Sequence, residues 1–211
     1  MTVTLKGVSK RYDRHWILKN LDFSFRADKT YAITGPNGSG KSTLIQLISG
    51  SLTPTKGIIQ YELKEKCIPV ESIFRHLVLC APYVQLIEEF TLEEMVIFHG
   101  SLKPYLAEIN TPKAVVEILQ LEQHRHKQLC DFSSGMKQRT LLGLSILSDV
   151  PLLLLDEPTT NLDRIGAEWY RDLINKFGNN RLIIISSNQY DDYSFCDYEL
   201  KVDDFKPTEK R

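Results

Sequence analysis

Apolar and polar residues alternate over Val3–Val8 and again over Leu21–Phe25. That period of two predicts half-buried strands, paired antiparallel across the polar link Ser9–His15. Tyr31–Thr34 is a short apolar strand that runs into a glycine-rich loop. From Thr43 to Ile48 the apolar spacing turns helical and stops near Gly50, a C-cap residue. A turn over Thr53–Gly57 leads to a strand at Ile58–Tyr61, and Leu77–Ala81 reads as a buried strand ended by Pro82. Residues 91–130 carry helical periodicity broken at Pro104 and Pro112, which predicts a small helical subdomain. Thr91, with Glu94 three residues on, is a capping-box signature at its start. A helix follows over Met136–Leu147. Leu152–Leu155 and Leu182–Ser187 are continuous apolar runs, the mark of parallel strands covered on both faces, with a helix over Asp163–Phe177 between them. The polar tail Asp203–Arg211 is expected to fray. This is an α/β pattern with a mostly parallel sheet core and an antiparallel β portion at its N-terminal end.

Length and charge narrow the reading. The chain has 211 residues, 42% of them hydrophobic, and 26 Lys+Arg against 27 Asp+Glu for a net charge of −1. A chain of this size buries roughly 70% of its unfolded surface and needs no disulfide or metal staple. One domain with a subdomain is the expectation. The near-neutral balance argues against a nucleic-acid partner. No apolar run approaches the ~18 residues of a membrane span, and the first residues lack the apolar core of a signal peptide. Cys67, Cys80, Cys130 and Cys196 are dispersed, with no C-x-x-C pair. They fit ordinary thiols of a reduced cytosolic protein rather than a zinc site.

Candidate chemistry starts at Gly35-Pro36-Asn37-Gly38-Ser39-Gly40-Lys41-Ser42, which matches G-x-x-x-x-G-K-[ST] between a strand and a helix. Glycines let the backbone curl so that successive N–H groups converge on phosphate oxygens, and the helix adds its positive end. Lys41 is expected to reach the β- and γ-phosphates, the Ser42 hydroxyl to ligate Mg²⁺, and Thr43 to donate near the α-phosphate. Leu152-Leu153-Leu154-Leu155-Asp156-Glu157 then sets two carboxylates at the C-terminal end of a buried strand, the edge where ligands sit in open α/β sheets. Asp156 is the candidate for the Mg²⁺ shell. Glu157 is the candidate base, or orienter, for an attacking water.

With these motifs in place, the sequence resembles the nucleotide-binding subunit of ATP-binding cassette (ABC) transporters over nearly its whole length. GPNGSGKST at 35–43 resembles the Walker A loop, and LLLLDEPTTNLD at 152–163 resembles Walker B followed by the D-loop. FSSGMKQR at 132–139 resembles the family signature. The resemblance implies a P-loop NTPase of ABC type. The whole of 1–211 would form one nucleotide-binding domain. Residues 1–82 and 140–205 would form the α/β core with its antiparallel β subdomain. Residues from about 88 to 135 would form the helical subdomain that carries the signature. It implies ATP and Mg²⁺ as ligands, with Tyr12, or alternatively Trp16, stacking on adenine. It implies a head-to-tail pair of cassettes in which Ser133, Ser134 and Gly135 of one meet the γ-phosphate held by the other. It also implies a separate integral membrane permease and a location on the cytoplasmic face of the cell membrane. The compact length resembles the cassettes of exporter-type systems.

Three departures qualify the match. Ser134 and Met136 stand where the family signature has glycine and glutamine, and Met136 has no amide to donate. The family's Q-loop glutamine ligates Mg²⁺. Here Tyr83 takes its expected place and Gln85 lies two residues later, so either can serve. Asn188 stands where the family has a switch histidine. Its NH₂ can contact a γ-phosphate, but it cannot carry a proton as imidazole does, which implies slow turnover led by Glu157. Two further readings follow: a soluble, non-transport ABC ATPase, and a nucleotide switch with very slow hydrolysis. The basic run His124–Lys127 reads as a solvated linker or as a contact with the permease or lipid headgroups.

Overall fold

The computed structural model describes residues 1–206. Its central sheet has five parallel strands: β3 (Thr30–Thr34), β6 (Leu77–Cys80), β7 (Leu152–Asp156), β8 (Leu182–Ser186) and β9 (Tyr198–Lys201). Their order is β6-β7-β8-β3-β9. All five residues of β7 and all five of β8 are buried, because the alternate faces of each strand enter different cores. Leu153, Leu155, Ile183 and Ile185 pack towards α4 (Ser134–Leu147) and α5 (Arg164–Phe177). Leu152, Leu154, Leu182 and Ile184 pack with α1 (Lys41–Ile48) and the N-terminal strands. A continuous apolar run is what two-sided burial requires.

The second sheet is antiparallel, ordered β2-β1-β4-β5, from β1 (Thr2–Tyr12), β2 (His15–Phe25), β4 (Lys56–Leu63) and β5 (Lys66–Ile68). The predicted link Ser9–His15 is a correction: strand runs through it, and the hairpin turns only at Asp13 and Arg14. Ser9 is buried and polar there without penalty, since its hydroxyl accepts the Asn20 N–H at 2.9 Å. Register shifts along β1 mark bulges that take up the extra polar residues.

The helical portion holds α2 (Leu92–Leu102) and α3 (Pro112–Leu119). Thr91 and Glu94 form the expected capping box. Pro112 opens α3 instead of breaking a helix, with Thr111 as N-cap. Arg181, buried just ahead of β8, donates to the carbonyls of Ile146, Ser148 and Phe177. It thereby satisfies the open ends of α4 and α5, and burial pulls its guanidinium down to about 10. A four-residue helix, α6 (Tyr190–Tyr193), follows β8. The tail does not fray at its start: Val202–Phe205 forms a 3₁₀ turn with Val202 buried. The rest of that prediction, 207–211, lies outside the described residues.

Candidate functional site

β3, β8 and β7 are neighbours in the parallel sheet. Their C-terminal ends therefore deliver the Gly35–Gly40 turn, Asn188, and the Asp156–Glu157 pair to one edge. Gly35, Gly38 and Gly40 have φ of +146°, +77° and +108°. At Gly40 a Cβ would stand 2.6 Å from Ile17 Cγ2, because β2 passes directly beside the turn. Ser39 is folded inward, its N–H donating to the Pro36 carbonyl at 3.0 Å and its buried hydroxyl without a partner.

Lys41 opens α1 and is 6% exposed. Its ammonium donates to the Gly35 carbonyl at 3.0 Å and to Asn188 Oδ1 at 2.8 Å, and lies 3.5 Å from Glu157 Oε1. A buried cation needs such a set of acceptors. Asn188 itself is exposed and also donates through Nδ2 to Asn37 Oδ1. The amide thus closes the mouth of the cradle from the β8 side.

Asp156 is 1% exposed, and neither carboxylate oxygen has a hydrogen-bond partner. Burial pushes this carboxyl above the ordinary aspartate range; the Ser42 and Ser186 hydroxyls and Lys41 lie near enough to offset this in part, without a hydrogen bond to either oxygen. An unpaired buried carboxylate facing a serine hydroxyl is a donor set of hard oxygens, which fits Mg²⁺. Ser42 is exposed on the first turn of α1 and Thr43 is half-buried beside it.

Glu157 has φ of +49°, left-handed for a residue with a side chain. This costs about 1–3 kcal/mol and persists because the backbone is held on both sides. Its N–H donates to the Ser186 carbonyl at 2.7 Å, and its carbonyl accepts from Thr160 N–H at 3.1 Å. Its Oε2 lies 3.3 Å from Ser187 Oγ. Behind it is a group the motifs do not signal. Asp192 is 2% exposed and accepts from Ser187 Oγ at 2.6 Å and from Thr159 Oγ1 at 2.7 Å. Nothing in the sequence marks this trio, since Thr159, Ser187 and Asp192 are ordinary polar residues until the fold joins them.

The signature segment lies apart from the cradle. Ser133 is the N-cap of α4, its hydroxyl accepting from Met136 N–H at 3.2 Å, so the helix begins at Ser134, two residues earlier than the periodicity predicts. Ser133 and Ser134 are exposed and Gly135 is half-buried. They border an open cleft of ≈ 360 Å³ shared with Asn161 and Asp163.

Gln85 lines a different cleft, with Ser134, Gln138 and Asn161. Tyr83 is 47% exposed, and burial together with the Asp156 charge pushes its hydroxyl up to about 12. Of the two candidates, Tyr83 is the one that feels the Asp156 charge. Tyr12 is 44% exposed at the hairpin tip, with Lys10 Nζ 5.0 Å from its ring centroid. Trp16 is clasped by Arg11 at 5.2 Å and Lys56 at 5.8 Å, which leaves Tyr12 as the freer ring.

Known proteins resemble this chain in sequence and in fold. The chain is 33% identical over 174 residues to the Nod factor export ATP-binding protein I of Rhizobium johnstonii, covering 77% of this chain and 53% of that protein. It is 29% identical over 195 residues to the lantibiotic transport ATP-binding protein SrtF of Streptococcus pyogenes, covering 87% and 78%. A 30% match over 195 residues to human ATP-binding cassette sub-family A member 13 covers 90% of this chain and 4% of that protein. The chain thus spans a small part of the human protein and about half of the Nod factor protein. In fold it superposes on a putative ABC transporter ATP-binding protein of Pyrococcus furiosus with a TM-score of 0.80 at 21% identity, covering 98% and 100% of the two chains. A bacterial ABC transporter cassette solved as a dimer gives a TM-score of 0.74 at 22% identity, covering 95% and 94%. The sequence model of the ABC transporter family matches residues 18–160. That match runs from the strand beside the glycine turn to just past Glu157, and the chain belongs to the ABC transporter family.

Proposed function

We propose that this chain binds ATP in the cradle and hydrolyses it to drive transport through a separate membrane permease. Cassettes of the family are ATPases coupled to transport. The observation that carries the reading is the buried Asp156 carboxylate with no hydrogen-bond partner, near enough to Ser42, Lys41 and Glu157 for each to act on its charge. The backbone from Gly35 to Gly40, Lys41, Ser42 and Thr43 would hold the triphosphate, and Tyr12 would stack on the base. Ser42 and Asp156, with Tyr83 or Gln85, would hold Mg²⁺. Bound there, the ion would neutralise charge on the phosphate oxygens. Glu157 would accept a hydrogen bond from the attacking water and orient it. To admit the γ-phosphate, Lys41 would exchange its Asn188 and Glu157 contacts for phosphate oxygens. Asn188 would then turn its NH₂ inward.

Ser133, Ser134 and Gly135 do not reach the cradle of their own chain; they lie around a separate cleft. This supports a second cassette, placed head to tail, as the partner that completes the site. The permease would hold the pair at the cytoplasmic face of the membrane; no helix among the described residues is long and apolar enough to cross one. The exposed Phe74, Ile97, Phe98 and Leu102 offer apolar surface for that contact. The name of the Nod factor export protein supports export as the direction.

The test is Glu157→Gln in a steady-state phosphate-release assay. The rate is expected to fall at least about a hundredfold while nucleotide affinity holds. A variant that hydrolyses at the wild-type rate would overturn the assignment. Asn188 supports the slow-switch reading as well, since it occupies Lys41 without a titratable ring. Wild-type phosphate release no faster than the protein-free background would favour it.

A further inference from the structure

Ser187 sits between two carboxylates and has one proton to give. Its oxygen is 2.6 Å from Asp192 Oδ2 and 3.3 Å from Glu157 Oε2, and it accepts the Gln189 N–H at 3.0 Å. The shorter contact takes the proton. Glu157 Oε2, at the longer of the two contacts, is therefore the weaker competitor for that proton. Asp192 is fixed for this task on every side. Thr159 Oγ1 donates to its other oxygen at 2.7 Å, and Tyr170 from α5 donates to its carbonyl at 3.0 Å. Its backbone N–H donates to the Gln189 carbonyl at 3.0 Å.

We propose that Asp192 is a positioning residue for hydrolysis: by holding the Ser187 proton it keeps Glu157 Oε2 free to accept from the attacking water. This rests on the role given to Glu157 above. The physical basis is competition between acceptors. Hydrogen bonds to an anion are about twice as strong as those to a neutral group. While both carboxylates are charged, distance and the fixed geometry favour Asp192. If residue 192 becomes neutral, Glu157 is the only anion left beside Ser187, and the hydroxyl turns to it. Glu157 then enters the reaction with one lone pair occupied and is a poorer acceptor for water.

Asp192→Asn keeps size and neutralises the acceptor. Its kcat is expected to fall about tenfold with KM changed less than about twofold. Introduced into a Ser187→Ala background, the same change is expected to lower kcat no further, because no hydroxyl remains to turn. A crystal of nucleotide-free Asp192→Asn is expected to show Ser187 Oγ closer to Glu157 Oε2 than 3.3 Å. Asp192→Ser, also neutral, carries the same expectation if the amide variant does not fold. An equal fall in kcat in both backgrounds, a shift confined to KM, or an unchanged rate would each overturn the proposal. Glu157→Gln run alongside keeps the two readings apart. If it is inactive while Asp192→Asn shows no coupling to Ser187, only the Asp192 role fails. If it is active, both fail.

Discussion

Of the loops that lead into helices, the turns before α1 and α4 are built in opposite ways. The turn before α1 is locked by the rest of the fold: β2 presses on Gly40, and Lys41 is buried among Gly35, Asn188 and Glu157. The turn before α4 is exposed, and Ser133 is engaged only with the N–H of its own helix. One region is a formed cradle whose lysine already has partners. The other is a capped helix end beside an open cleft. The contrast teaches that binding should reside in the first and that the second should matter only once another chain is present.

The largest effect should separate the two directly. Lys41→Ala is expected to weaken nucleotide binding to the single chain by about a hundredfold, the scale of losing a buried charged partner. Ser133→Ala should leave that affinity within about twofold while lowering hydrolysis. A fluorescent-nucleotide titration at low protein concentration, paired with a phosphate-release assay, reads both. Comparable losses of affinity in the two variants would break the contrast.

A smaller effect tests the backbone. Gly40→Ala puts a Cβ 2.6 Å from Ile17 Cγ2 at φ +108° and is expected to cost about 1–3 kcal/mol of stability. Gly135 lies in the first turn of α4 at ordinary helical φ, where the Cβ would meet only the Asn161 carbonyl at 3.0 Å. There the helical gain of alanine, about 0.5–1 kcal/mol, offsets the tight contact, and Gly135→Ala should be near neutral. Urea midpoints compare them. Equal destabilisation would mean that the signature turn is as tightly enforced as the cradle.

Legibility in the amino-acid sequence divides along the same line. The cradle and the Asp156–Glu157 pair are contiguous along the chain, and their fixed residue types follow from phosphate and metal chemistry. The residue order alone therefore reveals them. β7 and β8 are legible because two-sided burial leaves an unbroken apolar run. Ser9–Tyr12 is not, since backbone pairing carries a strand through polar residues and no apolar alternation marks it. β9 escapes too: it is an edge strand of four residues with only Leu200 buried. Asp192, Ser187 and Thr159 meet solely through the packing of α6 beside β7 and β8, which no local pattern encodes. Tyr83 and Gln85 stay open in the sequence for the same reason, since the direction of a side chain after a strand end depends on the loop.

The smallest effect concerns β3, whose two ends repeat the contrast on one strand. Its C-terminal end carries the cradle, while its N-terminal end is tied to the start of β9 through Asp197. That carboxylate accepts from Thr30 N–H at 2.9 Å and Thr30 Oγ1 at 3.0 Å, and Asp197 N–H donates back to Thr30 Oγ1 at 2.9 Å. The Thr30 backbone bond, aided by the Thr30 hydroxyl and Lys29, holds the Asp197 carboxyl below the ordinary aspartate value. A depressed folded-state value contributes stability that is present above the unfolded pKa of about 3.9 and is lost as pH falls through the folded one. The side chain is 42% exposed, so solvent screening keeps the contribution small. Asp197→Asn is expected to cost roughly 0.5–1 kcal/mol at neutral pH, with the gap to wild type closing as pH drops below about 3.9. Nucleotide affinity should not change, because the altered tie lies at the opposite end of the strand from Lys41. Thermal midpoints measured from neutral to acid pH, together with one nucleotide titration, decide it. A gap that is constant with pH would show that the charge contributes nothing. A loss of affinity would show that the cradle depends on the far end of β3 as well as on β2, Asn188 and Glu157.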